Sequence, residues 1–473
     1  MVYGKTMNEQ LKRKIEWSDG THHDIASILH ELAKDKFVCV DSQGQDWYMY
    51  NGYLWKQDSS MIELRKYISN TLLSLFEEYH RTPKTITNLK THTFKKQLIQ
   101  ESVEFFYDAQ FLNQLDADPN LIGFENGIWM LQEGRLVQGD TNQRVSLSTG
   151  YNYTERNDEM IRNVYDYFVK LHPVHDQLEY VLRMLSRQLY GDGGYEYLHI
   201  HYGLQGKAGG GKTKNFEIMH YCLGDYIQKF DVSLLVNEKR KDSSCPKPEY
   251  KDWKGRRILY CTEPNPNETL HSGLLKELTG GEQIKYRMLF SNIYHSYNPQ
   301  FKIHIMTNDL PYIDGADEGI RRRIRVLPYI STFKPKNSES QMKSETAHVY
   351  VANTDIARQF MNPYMKMAYM HLLFQYFNKS WSFEPTKTIL ENSQVYLSEN
   401  NDIEQFVDTY LVIGDELFVT LQELKQLKQR TSTNCSNLRT RLERFLKVSF
   451  TNQKKIKGKV YRSVLVGYGL KIF

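Results

Sequence analysis

The sequence predicts an α/β protein: a phosphate-binding core flanked by an N-terminal α+β unit and a C-terminal winged helix. Three observations carry that expectation. A glycine-rich run, GKAGGGKT from Gly206 to Thr213, sits between a strand-like segment and a helical one. Apolar strands alternate with helical stretches between about residues 191 and 335, the pattern of an α/β core. The terminal block is basic and reads as two helices followed by a hairpin.

Length and composition set the frame. A chain of 473 residues suggests about three domains, and 40% apolar with 13% aromatic residues can fill large cores. That excludes a disordered scaffold or a fibrous repeat. No stretch approaches the roughly 18 apolar residues of a membrane span, and MVYGKTMNEQLKRK lacks the apolar centre of a secretory signal. Cys39, Cys222, Cys245, Cys261 and Cys435 lie far apart with no CxxC, so neither a disulfide framework nor a cysteine-rich zinc site is expected. The expectation is a soluble, intracellular, multidomain protein, with host cytoplasm or nucleus left open.

From the N-terminus, Ile25, Ile28, Leu29 and Leu32 fall on one helical face. Trp47 to Tyr50 and Tyr53 to Trp55 read as a hairpin, because Asn51-Gly52 joins two apolar-aromatic runs. Ile62 to Phe76 reads as an amphipathic helix, and Leu121 to Leu131 as a second hairpin around Asn126-Gly127. Two features could suggest a metal. His22-His23 are adjacent, so they cannot share a helix face towards an ion; Asp116-Ala117-Asp118 precedes Pro119 and reads as a turn. Met160 to Leu189 is helical, interrupted at Pro173.

Tyr195 to Gly203 then reads as a strand, running into Gly206, Lys207, Ala208, Gly209, Gly210, Gly211, Lys212 and Thr213, and into a helix with Phe216, Met219 and Leu223. Small residues let successive backbone N–H groups close around phosphates, and the helix N-terminus adds a favourable dipole. Lys212 is placed to reach the β- and γ-phosphates, and the Thr213 hydroxyl to ligate Mg²⁺. A nucleoside triphosphatase also needs a carboxylate on a neighbouring strand. The apolar strand Arg257 to Cys261 ends in Thr262-Glu263, so Glu263 is the expected catalytic base and a second Mg²⁺ contact. A third strand, from Phe301, ends in Thr307-Asn308, where Asn308 could orient the attacking water. Elsewhere Asn308-Asp309 would be an ordinary turn. GIRRRIRVLPY follows, with Arg321, Arg322, Arg323 and Arg325. Arg322 and Arg323 are the leading candidates for an arginine supplied across a subunit interface; a basic surface edge is the plainer alternative.

Charge is lopsided. Leu421 to Phe473 holds 13 Lys/Arg and two acids, a balance of +11, against +5 for the whole chain, so the first 420 residues carry −6. The block contains helical stretches at Leu421 to Lys428 and Leu438 to Leu446, the second carrying Arg439, Arg441 and Arg444. A hairpin, Val448 to Val466, follows, with Lys454, Lys455, Lys457, Gly458 and Lys459 in its loop. A winged helix could lay this wing across a DNA backbone; packing or protein recruitment is the alternative.

These motifs, in this order, resemble a superfamily III helicase of the poxvirus-type helicase–primase branch, found in large DNA viruses, phages and mobile elements. The resemblance rests on GKAGGGKT, CTEP, LLKELTGGEQIKYRMLF (Leu274 to Phe290), IHIMTNDLP and the arginine cluster. It extends to NLIGFENGIWML and to YLSENNDIEQFV, and so covers the chain from about Phe37 onward. It implies AAA+ modules in a hexameric ring, ATP and Mg²⁺ between subunits, and 3′→5′ movement on single-stranded DNA, with forked DNA and a separate primase or polymerase as partners. Lys285 and Arg287, near Gly280-Gly281, are cations that could grip DNA phosphates, although Arg287 could equally be structural. Two departures stand out. Thr262 occupies a position where many members carry an acid, and the fused primase domain of larger relatives is absent, as in a helicase-only form or a fragment.

The expected domains are 1–153, α+β; 154–190, a helical collar; 191–335, the ATPase; 336–393, a helical connection; and 394–473, the winged helix. The leading function is an ATP-driven replicative DNA helicase. The alternative is a DNA-binding loader or scaffold with vestigial ATPase activity.

Overall fold

The computed structural model describes residues 9–193, 195–203, 209–236, 247–264, 269–287, 294–313, 317–335, 348–378, 380, 384–430, 438–446, 448–456 and 458–471. The chain divides into two compact units, Met1–Tyr153 and Thr154–Phe473.

In the first unit, helices His22–Ala33 and His92–Phe106 pack around a core that includes Ile25, Ile28, Leu29, Leu98 and Val103. Strands Phe37–Cys39, Trp47–Tyr50 and Trp55–Gln57 form an antiparallel sheet in which Tyr50 pairs with Trp55. The turn between them closes because the Asn51 carboxamide oxygen accepts from the backbone N–H groups of Tyr53 and Leu54. A second antiparallel sheet holds Leu121–Phe124, Gly127–Met130 and Arg135–Val137. Asp116 sits at φ +54°, and its carboxylate accepts from the backbone of Ser146 and Leu147. Its neighbour Asp118 caps Asn120. The pair is engaged in turns, and His22 stacks on Phe94 with ring centroids 4.2 Å apart.

The second unit is built on a five-stranded parallel sheet: β1 (Leu198–Gly203), β2 (Ile227–Lys229), β3 (Ile258–Thr262), β4 (Lys302–Thr307) and β5 (Ile324–Tyr329). Their spatial order is β5-β1-β4-β3-β2, so the chain leaves β1, crosses to the far edge and works back. The C-terminal end of β1 therefore lies where the connections diverge, the place where open α/β sheets bind ligands. Every residue of β4 and β5 is buried, as strands covered on both faces require.

Helices Asp158–Leu171 and His175–Gln188 are broken at Pro173, and helix Pro363–Tyr376 packs on both. That last helix buries Met367 to Leu373 without a break. The span 336–393 is therefore more than a connection. It adds a core helix and a strand, Val349–Val351, that pairs in parallel with Thr332–Lys334.

The expected boundary at 394 falls inside the continuous helix Lys387–Tyr410. Its first half serves the sheet: the Ser393 hydroxyl accepts from the Val326 N–H, and Tyr396 and Leu397 join the central core. Its second half supplies Ile403, Phe406 and Val407 to the C-terminal core. One helix belongs to both cores.

At the C-terminus, strand Leu411–Thr420 and the hairpin strands Thr451–Ile456 and Lys459–Leu470 form an antiparallel sheet beside helices Leu421–Arg430 and Leu438–Leu446. Ile456 pairs with Lys459, and Gly458 stands at φ +84°. This corrects the expected wide loop: Lys454, Lys455 and Lys459 are exposed on paired strands. Lys457 lies outside the described residues, as does the Arg444 side chain.

Candidate active site

Three strand ends meet at one edge of the parallel sheet. β1 ends at Gly203; Gly206, Lys207 and Ala208 lie outside the described residues, and Gly209 resumes the loop at φ +90°. Gly211, at φ +84°, caps the helix Lys212–Leu223. A β-carbon there would stand 2.8 Å from Leu171 Cδ1, so both backbone conformation and space demand glycine. The loop is tied down where the Phe333 N–H donates to the Gly209 carbonyl, 3.0 Å.

Lys212 opens the helix and is 8% exposed. Its Nζ donates to Asn308 Oδ1 at 2.8 Å, and Asn308 Nδ2 donates to Glu263 Oε1 at 3.2 Å. The lysine after β1, the asparagine after β4 and the glutamate after β3 thus form one chain, although 45 and 96 residues separate the bonded partners. Burial holds the Lys212 ammonium below its ordinary pKa, and the Glu263 carboxylate partly opposes that shift. Glu263 sits at φ +46°, while its N–H still donates to the Met306 carbonyl at 2.7 Å. Thr213, one residue into the helix, is exposed and opens with Thr262 and Met306 onto a pocket of roughly 410 Å³ floored by Phe216 and Tyr260.

The arginine cluster lies at the other end of the same sheet. The Leu198 N–H donates to the Arg323 carbonyl, which places the cluster at the N-terminal ends of β1 and β5. Six strand residues at about 3.3 Å each put it roughly 20 Å from the glycine-rich loop. No side chain there can reach its own subunit's Lys212. The arginines also differ from one another. Arg325 lies 3.9 Å over the Tyr197 ring and donates to the carbonyls of Arg322 and Ile324. The Arg323 side chain is 10% exposed, donates to the Gly319 carbonyl and pairs with Glu196 at 2.9 Å. Arg322 is 62% exposed and pairs with the same Glu196 oxygen at 2.7 Å. Of the two expected interface arginines, only Arg322 is presented outward; Arg323 is an internal anchor, because a buried, doubly held guanidinium cannot extend into another molecule.

Lys285 and Arg287 lie two apart on the strand Ile284–Arg287, and so on one face of its hairpin with Tyr294–Tyr297. Lys285 is exposed, whereas the Arg287 guanidinium lies 5.9 Å from the Tyr294 ring centroid. The hairpin tip, 288–293, is outside the described residues. Neither cation joins the chain of Lys212, Asn308 and Glu263.

One arrangement is not apparent from the motifs. Asn215, in the first turn of the helix Lys212–Leu223, donates to the Tyr329 hydroxyl at 3.3 Å, which lies 3.0 Å from His201 Nδ1. His201 Nε2 lies 2.8 Å from His304 Nδ1, and His304 Nε2 lies 3.0 Å from Gln188 Oε1. Because an amide oxygen only accepts, His304 carries its proton on Nε2 and His201 carries its own on Nε2. Every link is satisfied with both imidazoles neutral. Burial pushes His304 down to about 3 and His201 well below the ordinary range. The sequence signal was the alternation His199-Ile200-His201 in an otherwise apolar strand.

A family model described as "D5 N terminal like" matches residues 26–185. Among curated relatives, a protein of Acanthamoeba polyphaga mimivirus, named as a helicase, is 32% identical over 85% of this chain and 44% of its own length. The chain is thus similar to D5-type helicase–primase proteins of large DNA viruses. A helicase-named protein of Frog virus 3 is 21% identical over 83% of the chain and 52% of its own length. A primase-named protein of African swine fever virus is 24% identical over 83% and 45%. The chain spans about half the length of these curated relatives. Among solved structures, the C-terminal region of NrS-1 aligns over 96% of this chain and 99% of that one, at 13% identity and a TM-score of 0.42. Among the described residues, no helix is long and apolar enough to cross a membrane.

Proposed function

We propose that this chain is the motor of an ATP-dependent DNA helicase. It would act as a ring of AAA+ modules, a hexamer by resemblance, moving 3′→5′ on single-stranded DNA. The observation that carries the reading is the chain of Lys212, Asn308 and Glu263, assembled from three strand ends beside a glycine-rich loop and a helix N-terminus. The residues fit a nucleoside triphosphate with Mg²⁺. A half-desolvated ammonium waits at a helix N-terminus, and an exposed hydroxyl and a carboxylate stand beside it.

Gly209 to Thr213 would hold the phosphates, and Thr213 with Glu263 would hold the metal, which would supply charge neutralisation at the transferred phosphoryl group. Lys212 binds phosphate oxygens through the donors that Asn308 leaves unused. Glu263 accepts the proton of the attacking water, and Asn308 orients both that water and the carboxylate. Arg322 contributes from a neighbouring subunit, since sheet polarity keeps it away from its own site. Such arginines are worth roughly 10³–10⁵ in rate.

The test compares wild type with Lys212→Ala in ATP turnover and unwinding of a forked duplex. Wild type is expected to do both and the variant neither, with an unchanged melting temperature. Fork binding by a wild type that never turns over ATP would instead favour the loader reading.

A further inference from the structure

Glu196, in the segment that leads into β1, lies outside every motif, yet one of its carboxylate oxygens bonds two arginines. The two pairs are unequal. Arg323 is buried and also held by the Gly319 carbonyl, so its link to Glu196 is a fixed part of the fold. Arg322 is solvent-exposed, and Arg325 pins its backbone carbonyl while leaving its guanidinium free to swing. When Arg322 leaves, Glu196 is not stranded, because Arg323 still satisfies it. The exposed pair is therefore weak and readily exchanged, and a phosphate can offer Arg322 two oxygens where Glu196 gives it one.

We infer that Glu196 is a positioning residue that parks Arg322 on its own subunit and competes with the phosphate of a neighbouring subunit's nucleotide for it. The inference rests on the proposed role of Arg322 across the interface. In the parked state the guanidinium is neutralised and drawn back onto the sheet edge. Ring closure exchanges one anion for another, so an isolated subunit keeps its arginine out of reach, and assembly is rewarded only when the neighbour holds nucleotide.

The experiment measures ATP turnover of the full chain at fixed subunit concentration. Glu196→Gln keeps a hydrogen bond for Arg323 but removes the competing charge, so kcat/KM is expected to rise by about two- to fivefold. The gain should vanish in an Arg322→Ala background and narrow as salt rises, because the parked pair is exposed and screened. A purely structural role would move neither the coupling to Arg322 nor the salt dependence. If Glu196→Gln melts early, Glu196→Asp keeps a charge beside Arg323 but is too short to hold both arginines, and should shift turnover in the same direction. Lower turnover in a stable Glu196 variant, or a gain that persists without Arg322, would overturn the inference. If Arg322→Ala alone leaves turnover at the wild-type level, the interface role of Arg322 fails instead.

Discussion

Glu263 stands in a left-handed backbone conformation that side chains adopt at a cost of order 1–3 kcal/mol, yet its N–H stays in register with Met306. The strain turns the carboxylate off the strand line and towards Asn308. Glu263→Gln should keep nucleotide affinity and lower turnover by roughly 10²–10⁴-fold, since the amide keeps an oxygen for the metal and for Asn308 but cannot accept a proton. Asn308→Ala removes both the water-orienting amide and the acceptor of Lys212, and should reduce kcat by about 10²-fold. Titration with a fluorescent nucleotide beside steady-state turnover checks both, and weakened binding equal to the turnover loss would mean these side chains hold nucleotide only. Lys212, Glu263 and Asn308 could be named from sequence because each sits in a local motif. Glu196 could not, because its partner Arg322 is 126 residues away.

At the scale of the element, β1 and β4 carry His199, His201 and His304 into the core, where burial keeps them neutral and the neighbouring His304 adds to the effect at His199 and His201. A histidine with a folded pKa near 3 and an unfolded value near 6.5 contributes stability that is complete above about pH 6.5 and is lost as pH falls towards 3. Each pH unit in that window removes roughly 1.4 kcal/mol at His304, and His199 and His201 act in the same direction. The melting temperature should therefore fall steeply from pH 7 to pH 5, and His304→Gln, less stable at pH 7, should show a shallower slope. Equal slopes by scanning fluorimetry would place the acid sensitivity elsewhere.

The C-terminal hairpin invites a different test, because lysines on the edge strand Thr451–Ile456 also guard against edge-to-edge pairing. If they contact DNA, replacing Lys454, Lys455, Lys457 and Lys459 should weaken binding to all sequences alike. The slope of log K against log salt should flatten by about 0.7–0.9 per lost contact. Unchanged binding with new self-association would assign them to edge protection.

For the whole molecule, Lys212 and Arg322 stand at opposite ends of one sheet, so the proposed role of Arg322 would require two subunits for a complete site. Mixing Arg322→Ala with Lys212→Ala should recover part of the turnover that neither shows alone, because some interfaces then receive both wild-type partners. A dilute monomer hydrolysing ATP at the full rate would contradict the shared site. The same scale explains the misplaced boundary at 394. The helix Lys387–Tyr410 runs through it, with its first half packed on β5 and its second half on another core, and those distant partners are not written in the local sequence.

What the sequence determined by itself was local. Asn51-Gly52 and Asn126-Gly127 announced hairpins, the glycine run announced a tight turn into a helix, and apolar runs between helical stretches announced the strands, because each property is set by neighbours a few residues apart. Only the tertiary structure decided which strand ends adjoin, which of four arginines faces solvent, and where Glu196 and the three histidines find their partners. Strand order and burial arise from contacts between residues about 45 to 130 apart, and no local pattern in the chain encodes them.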